Sequence, residues 1–130
     1  MKLLSREDLE LLDDKGNTAF CFAAAVGNVH IAEIMRIKNE SLPTIRGGEG
    51  VTPLHLAVLQ GRSEMTRYLF DKTREILYDD DWITLFLICV NSGLYGKHIN
   101  NQTFCLSFQP SLSFVVFHLN SLLLFFHIVL

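Results

Sequence analysis

The chain has 130 residues, of which 49% are hydrophobic and only 19% are charged, and its net charge is −3. Its length predicts one domain, and its high apolar content excludes an intrinsically disordered protein. The sequence contains no Lys/Arg cluster, which excludes a strongly basic nucleic-acid binder. Its three cysteines show no C-x-x-C spacing, so we predict neither a disulfide scaffold nor a zinc or redox site, and we expect no metal or cofactor.

The N-terminal residues 1–12 are polar at their start. Met1 to Asp8 lack the apolar stretch of a signal peptide, so we expect the N-terminal part of the chain to be cytoplasmic. The segment that ends at Leu12 resembles the last part of a helix, and we interpret residues 1–12 as the remnant of an incomplete preceding unit.

An internal repeat follows. A shift of the sequence by 34 residues superimposes identical residues: Gly16 on Gly50, Thr18 on Thr52, Ala23 on Ala57, and Gly27 on Gly61. A weaker third copy places Thr84 on Thr52, with Cys89 at the position of Ala57. The register predicts a first unit at 13–46, a second at 47–78 and a partial third at 79–96.

Each complete unit is predicted to contain a turn and two helices, and the partial third unit lacks the second helix. We expect a positive φ at Gly16 and Gly50 in the turns. Helix N-caps are predicted at Thr18, Thr52 and Thr84, with Pro53 in the first helical position. Gly27 and Gly61 end the first helices. The second helices are expected near 29–35 and 63–70, and the apolar residues that recur at helical spacing are Ile31, Ile34, Met35, Met65, Tyr68 and Leu69.

The sequence Thr52-Pro53-Leu54-His55-Leu56-Ala57 matches the T-P-L-H-x-A signature, so the chain resembles ankyrin-repeat proteins. The resemblance covers roughly residues 13–95 and implies an all-α solenoid fragment that binds other proteins and has no catalytic activity. The residues that hold structural repeat positions are Gly16, Thr18, Ala23, Gly27, Gly50, Thr52, Pro53, Leu54, His55, Ala57 and Gly61.

Two segments resemble a narrower family within the ankyrin proteins. These are residues 17–25 (NTAFCFAAA) and residues 81–86 (DWITLF), which are similar to plant ankyrin-repeat proteins whose complete members end in a transmembrane PGG domain. The resemblance implies signalling in stress or defence responses at a membrane. The chain itself contains no PGG domain.

Three features could suggest a different chemistry. His55 lacks a nucleophile at a suitable spacing, so we expect it to hydrogen-bond turn backbone between repeats rather than act as a base. The glycine-rich residues 47–50 lack the remainder of a phosphate-binding loop, which favours a repeat turn. Residues 79–81 (DDD) are followed by no calcium-binding loop and are interpreted as a solvated turn tip.

The variable positions of ankyrin units form one concave face, and we predict that this face binds a partner protein. The residues expected there are Asp14, Lys15, Asn17, Glu49, Val51, Leu59, Gln60, Asp80 and Asp81, together with Val26 at the end of the first helix. Because acids outnumber bases in this set, we predict a partner with a basic or polar patch.

The tail, residues 97–130, contains no acidic residue, and its last 19 residues, 112–130, include 14 large apolar side chains. A helix of that length would span about 28 Å, close to the thickness of a bilayer core. Three interpretations stay open: a membrane anchor at 112–130, a translation product of a truncated or mis-spliced gene, and a last helix that covers the open repeat. The break of the repeat near Gly96 and Lys97 favours the second.

Overall fold

The structure is a computed structural model that describes residues 4–91. Contacts divide the chain into two units, and the boundary lies between Leu77 and Tyr78. All regular elements within residues 4–91 are helical. The α-helices are α1 (Ala19–Val26), α2 (Val29–Lys38), α3 (Pro53–Leu59), α4 (Ser63–Thr73) and α5 (Asp79–Asn91), with short 3₁₀ turns at Glu7–Glu10, Leu42–Thr44, Gly48–Gly50 and Arg74–Ile76.

The starts of α1 and α3 confirm two of the predicted N-caps. The hydroxyl oxygen of Thr18 accepts a hydrogen bond from the backbone N–H of Cys21 at 3.3 Å. Thr52 caps α3 in the same way through the N–H of His55, also at 3.3 Å. Each hydroxyl satisfies a backbone donor that has no partner within the helix, which fixes where the chain turns into the helix.

Glycines follow the first helix of each of the first two repeats, as the repeat register predicts. Gly27 has a φ of 85° and donates its N–H to the carbonyl of Ala23 at 3.0 Å. In the second repeat, α3 ends at Leu59 and Gly61 follows with a φ of 65°. Both glycines adopt the left-handed conformation that side chains with a Cβ disfavour, which lets the chain reverse into the second helix.

The core of the first unit lies between two helical hairpins. The helix α1 packs on α2 and α3, and α3 packs on α4. The largest completely buried apolar side chains of this unit come from both repeats and from the connection between them: Phe20, Leu42, Leu54, Met65 and Leu69. Burial of each such side chain contributes about 1.5–3 kcal/mol relative to exposure.

The apolar residues that recur at helical spacing on α2 are not all buried. Ile31 and Ile34 are 42% and 47% exposed, whereas the buried residue of this helix is Ala32. The periodicity identifies an apolar surface correctly, but it does not show which parts of that surface have a neighbour. Both second helices also extend further than predicted, to Lys38 and Thr73.

The segment before the first repeat contains one 3₁₀ turn, Glu7–Glu10. Ser5 and Asp8 cap it reciprocally, since the N–H of Ser5 donates to the Asp8 carboxylate at 2.8 Å and the N–H of Asp8 donates to the Ser5 hydroxyl at 3.2 Å. The hydrogen bond from the N–H of Ser5 holds the pKa of Asp8 below its ordinary value. The buried amide of Asn39 donates to Glu10 at 2.6 Å and ties this segment to the end of α2.

In the second unit, the third repeat begins differently from the prediction. The helix α5 starts at Asp79, so Thr84 is not its N-cap but lies inside it and donates its hydroxyl to the carbonyl of Asp80 at 2.9 Å. The carboxylate of Asp81 accepts the N–H of Tyr78 at 2.9 Å, as the third helical residue does in a capping box. Residues 79–81 therefore form the first turn of a helix, and they are not the turn tip that the sequence predicted. Their negative charges also interact favourably with the helix dipole.

No helix among residues 4–91 is long and apolar enough to cross a membrane. The tail at 97–130, the predicted membrane segment at 112–130 and the end of the third repeat lie outside the described residues.

Candidate functional site

The first finger, residues 13–17, is a tight turn before α1. The N–H of Asp13 donates to the carbonyl of Asn17 at 2.9 Å, which closes the turn across Gly16 with its φ of 82°. The carboxylate of Asp13 accepts the N–H groups of Lys15 and Asn17 at 2.9 and 2.7 Å. Such side-chain bonds to nearby backbone fix a turn that would otherwise be loose. The side chains of Asp14 and Lys15 therefore project from a defined backbone.

The second finger, residues 47–51, repeats this geometry and contacts the first. The N–H of Gly47 donates to the carbonyl of Val51 at 2.8 Å, and the N–H of Gly48 donates to the side-chain oxygen of Asn17 at 3.0 Å. A Cβ atom at Gly48 would lie 2.2 Å from the carbonyl oxygen of Lys15. Gly47 and Gly48 thus permit one finger to lie against the other.

A second link between the repeats lies near the C-terminal ends of α1 and α3, the first helices of the two repeats, which we call the inner helices. The Nε of Arg62 donates to the carbonyl of Ala25 at 3.1 Å. Its aliphatic stem covers Gly27, where a Cβ atom would lie 2.9 Å from the Cδ of Arg62. The absence of a side chain at Gly27 therefore serves both the left-handed turn and the contact with the next repeat.

A third link joins α2 and α4. Arg36 forms a bidentate ion pair with Glu33, with bonds of 2.8 and 2.9 Å, and the hydroxyl of Tyr68 donates to the same carboxylate. These hydrogen bonds lower the pKa of Glu33 to about 2, and the bond from Arg36 has the larger effect. Burial and the bond to Glu33 raise the pKa of Tyr68 to about 12. The ammonium of Lys72 lies 5.9 Å from the centre of the Tyr68 ring.

The predicted binding residues of the first unit differ in exposure. Asp14, Lys15, Glu49, Leu59 and Gln60 are exposed, whereas Asn17 and Val51 are half-buried. Asn17 holds the second finger and so has a structural role in addition to its position on the predicted surface.

In the second unit, Asp80 is exposed, but Asp81 is buried and its carboxylate is bonded to the start of α5. The assignment of Asp81 as an accessible contact is therefore wrong. A capping carboxylate is held by the backbone it caps and is not presented to a partner.

One exposed apolar side chain of α1, that of Phe22, extends the surface beyond the predicted set. Phe22 is 53% exposed and Val26 is 65% exposed, and they lie one helical turn apart, on the same face. Leu59 on α3 is 58% exposed. The shift of 34 residues superimposes Phe22 on Leu56, an ordinary apolar position of the repeat. The spacing of four residues between Phe22 and the predicted contact at Val26 is the signal that would have identified it.

His55 lies inside the fold and not at a catalytic surface. Its Nδ1 is 2.6 Å from the hydroxyl oxygen of Thr52, and its side chain is buried. The bond to turn backbone between repeats stays a prediction. In the described part of the chain, no three His, Cys, Asp or Glu side chains are grouped as a metal site would require.

Comparison with protein-family models gives a match over residues 1–80 to the family described as ankyrin repeats (3 copies). The chain belongs to the ankyrin-repeat family, whose members generally serve as protein-interaction scaffolds. Searches of curated proteins and of solved structures give no match. The narrower similarity to the plant proteins with a PGG domain stays a prediction.

Proposed function

We propose that this chain binds a partner protein through the inner surface of its first unit and that it does so without a catalytic step. We define the inner surface as the exposed side chains of the two fingers and the inner helices: Asp14, Lys15, Phe22, Val26, Glu49, Leu59 and Gln60. The observation that carries the proposal is the exposure of Phe22, Val26 and Leu59 on inner helices whose other faces form the core.

Rigidity of the fingers supports this proposal. The bond from Gly48 to Asn17 and the bond from Arg62 to Ala25 hold neighbouring repeats together at both edges of the inner surface. A surface that is already ordered loses little conformational entropy when a partner binds, so more of the contact energy appears as affinity.

The apolar side chains would provide the anchor of the interface. Exposed aromatic residues near the centre of a contact contribute most to binding, since they bury a large area with few rotatable bonds. We therefore expect Phe22 to contribute more than any exposed charge of this surface.

Charges at the finger tips would select the partner. Asp14 and Glu49 are exposed, and neither forms an ion pair with another described residue. Lys15, which follows Asp14 in the first finger, is the exposed base of the tips. The tips thus favour a partner that presents a basic or polar group beside its apolar anchor.

The test begins with identification of the partner by pull-down with the full chain. The affinity of the purified partner is then compared between the natural chain and Phe22→Asp. Ile37→Asp is the matched control, since Ile37 is 68% exposed on α2, which lies outside the inner surface. We expect Phe22→Asp to weaken binding by roughly thirty-fold or more, as hot-spot residues do. Equal affinities of the two variants would reject the inner surface.

A role as a membrane-anchored ankyrin signalling protein of plant stress or defence responses is the second candidate, and it depends on the composition of residues 112–130. Membrane association of the full chain that resists carbonate, and that is lost on deletion of residues 112–130, would support it. Recovery of the full chain in the soluble fraction would exclude it.

A further inference from the structure

The tip of the second finger contains a strained residue. Glu49 has a φ of 60° and a ψ of 19°, and it is the single non-glycine residue with a positive φ among residues 4–91. A side chain with a Cβ atom makes this left-handed conformation roughly tenfold less favourable. Strain of this kind persists where the surrounding structure enforces it, and it is concentrated at sites of function.

We propose that Glu49 is a specificity-determining residue of the inner surface and that its carboxylate binds an arginine side chain of the partner protein. This inference rests on the proposed function, and it names the group that the second finger recognises. The left-handed backbone fixes the direction in which the Glu49 side chain leaves the finger. A residue that lowers the stability of the free chain is explained if its side chain contributes to binding.

Hydrogen bonds on both sides of the tip hold the second finger in this conformation. The N–H of Gly48 donates to the side-chain oxygen of Asn17 in the first repeat at 3.0 Å. After the tip, the Nη1 of Arg46 donates to the carbonyl of Gly50 at 2.9 Å. The backbone on either side of Glu49 is therefore fixed whichever residue occupies that position, and the residue determines only how unfavourable the conformation is.

The first finger closes without such strain. The shift of 34 residues superimposes Glu49 on Lys15, whose φ is not positive. It also superimposes Gly47 on Asp13, and the Asp13 carboxylate braces the first finger by accepting two backbone N–H groups. A Cβ atom at Gly47 would overlap the side-chain oxygen of Asn17, so the second finger has no room for a braced aspartate. The strain at Glu49 is thus specific to the second finger.

The exposure and the charge of Glu49 indicate what it recognises. Glu49 is exposed, and its carboxylate forms no ion pair within residues 4–91. A guanidinium suits a carboxylate that leaves a fixed backbone, because it forms two parallel hydrogen bonds of defined geometry, whereas lysine binds as a point charge. Phe22 and Leu59 are exposed on the same inner surface. We therefore expect an arginine close to an apolar residue in the partner.

The strain is tested by urea denaturation of the full chain without a partner. Glu49→Asn and Glu49→Gln both remove the charge, but asparagine occurs several-fold more often in the left-handed region. Glu49→Asn should therefore raise the urea midpoint, whereas Glu49→Gln should keep it near the natural value. Lys15→Asn, at the equivalent position of the first finger, should not raise it. Equal midpoints of the two Glu49 variants, or an equal rise in Lys15→Asn, would overturn the inference.

Recognition is tested with a displayed library of random peptides that is selected on the natural full chain. We expect the selected peptides to share an arginine at a fixed spacing from an aromatic or aliphatic residue. In fluorescence polarisation, a synthetic peptide of that sequence should bind Glu49→Gln and Glu49→Asn roughly tenfold more weakly than the natural chain. Glu64→Gln removes an exposed carboxylate of α4, outside the inner surface, and should bind like the natural chain.

Further comparisons separate this inference from the proposed function. Phe22→Asp should weaken binding of the same peptide, and unchanged binding in that variant would reject the inner surface and this inference with it. Weaker binding in Phe22→Asp together with natural affinity in Glu49→Gln would leave the proposed function standing and overturn the inference. Selected peptides without arginine would overturn it as well, and so would equal binding of the arginine peptide and its lysine version.

Discussion

The side-chain oxygen of Asn17 accepts the backbone N–H of Gly48 at 3.0 Å, across a contact too close for a Cβ atom on Gly48. One repeat thus positions the finger of the next through its backbone, and not through side chains of the tip. Because the bond lies beneath the exposed tips, the residues at Asp14 and Glu49 are free to differ without loss of the finger conformation.

Substitution of Gly48 tests this contact. Gly48→Ala places a Cβ atom 2.2 Å from the carbonyl oxygen of Lys15, so the fingers must separate. Gly50→Ala is the control, because Gly50 has open space around it but a φ of 72°, and it carries only the left-handed cost of about 1–2 kcal/mol. Urea denaturation should give a larger loss of unfolding free energy for Gly48→Ala. A smaller loss than in Gly50→Ala would contradict the described finger contact.

The two threonines Thr52 and Thr84 should respond differently to alanine. Thr52 caps α3, so Thr52→Ala should lower the free energy of unfolding by about 1 kcal/mol. Thr84 lies inside α5, where Ala is the better helix former, so Thr84→Ala should be neutral or slightly stabilising. Thermal unfolding monitored by circular dichroism measures both. A loss in Thr84→Ala as large as in Thr52→Ala would favour the helix start predicted from the repeat register.

Removal of the Tyr68 hydroxyl should loosen the contact between α2 and α4. Tyr68→Phe keeps the ring but deletes the hydrogen bond to Glu33, at a cost of about 1 kcal/mol. Hydrogen exchange should become faster in α2 and α4, while the finger amide of Gly48 keeps its protection. No difference between Tyr68→Phe and the natural chain would mean that the Tyr68 bond contributes nothing to the stability of the repeat interface.

Acid should weaken the first unit through Glu33. The pKa of Glu33 is about 2 in the folded chain and 4.5 ordinarily, so the folded state binds this proton less readily than the unfolded state. The stabilisation is therefore complete above about pH 4.5 and is lost as the pH falls towards 2. The urea midpoint measured from pH 5 to pH 2 should fall more steeply in the natural chain than in Glu33→Gln. Parallel curves would remove Glu33 from the acid response.

The parts of the fold that the sequence predicts are those controlled by local chemistry. The hydroxyl of Thr18 or Thr52 can cap only the helix that follows it. Gly27 and Gly61 permit a left-handed turn because they have no Cβ atom, whatever their neighbours are. A comparison of the repeats is therefore sufficient to locate these helix ends.

Other features depend on neighbours that a sequence pattern does not identify. Whether Ile31 and Ile34 are exposed depends on which helices lie beside α2. The periodicity of the sequence is the same whether or not a neighbouring helix covers them. The bond from Tyr68 to Glu33 joins residues 35 positions apart. In the third repeat, a local carboxylate at Asp81 determined the start of α5, against the register that pointed to Thr84.

The contact between Asn17 and Gly48 has a consequence for the order of the repeats. The residue of the second repeat that corresponds to Asn17 is Val51, whose side chain has no atom that can accept a hydrogen bond. A second copy of this repeat inserted after itself would thus find no acceptor for its own Gly48 N–H. The first two repeats are similar in sequence but are not interchangeable, and the first can be followed by the second but not replaced by it.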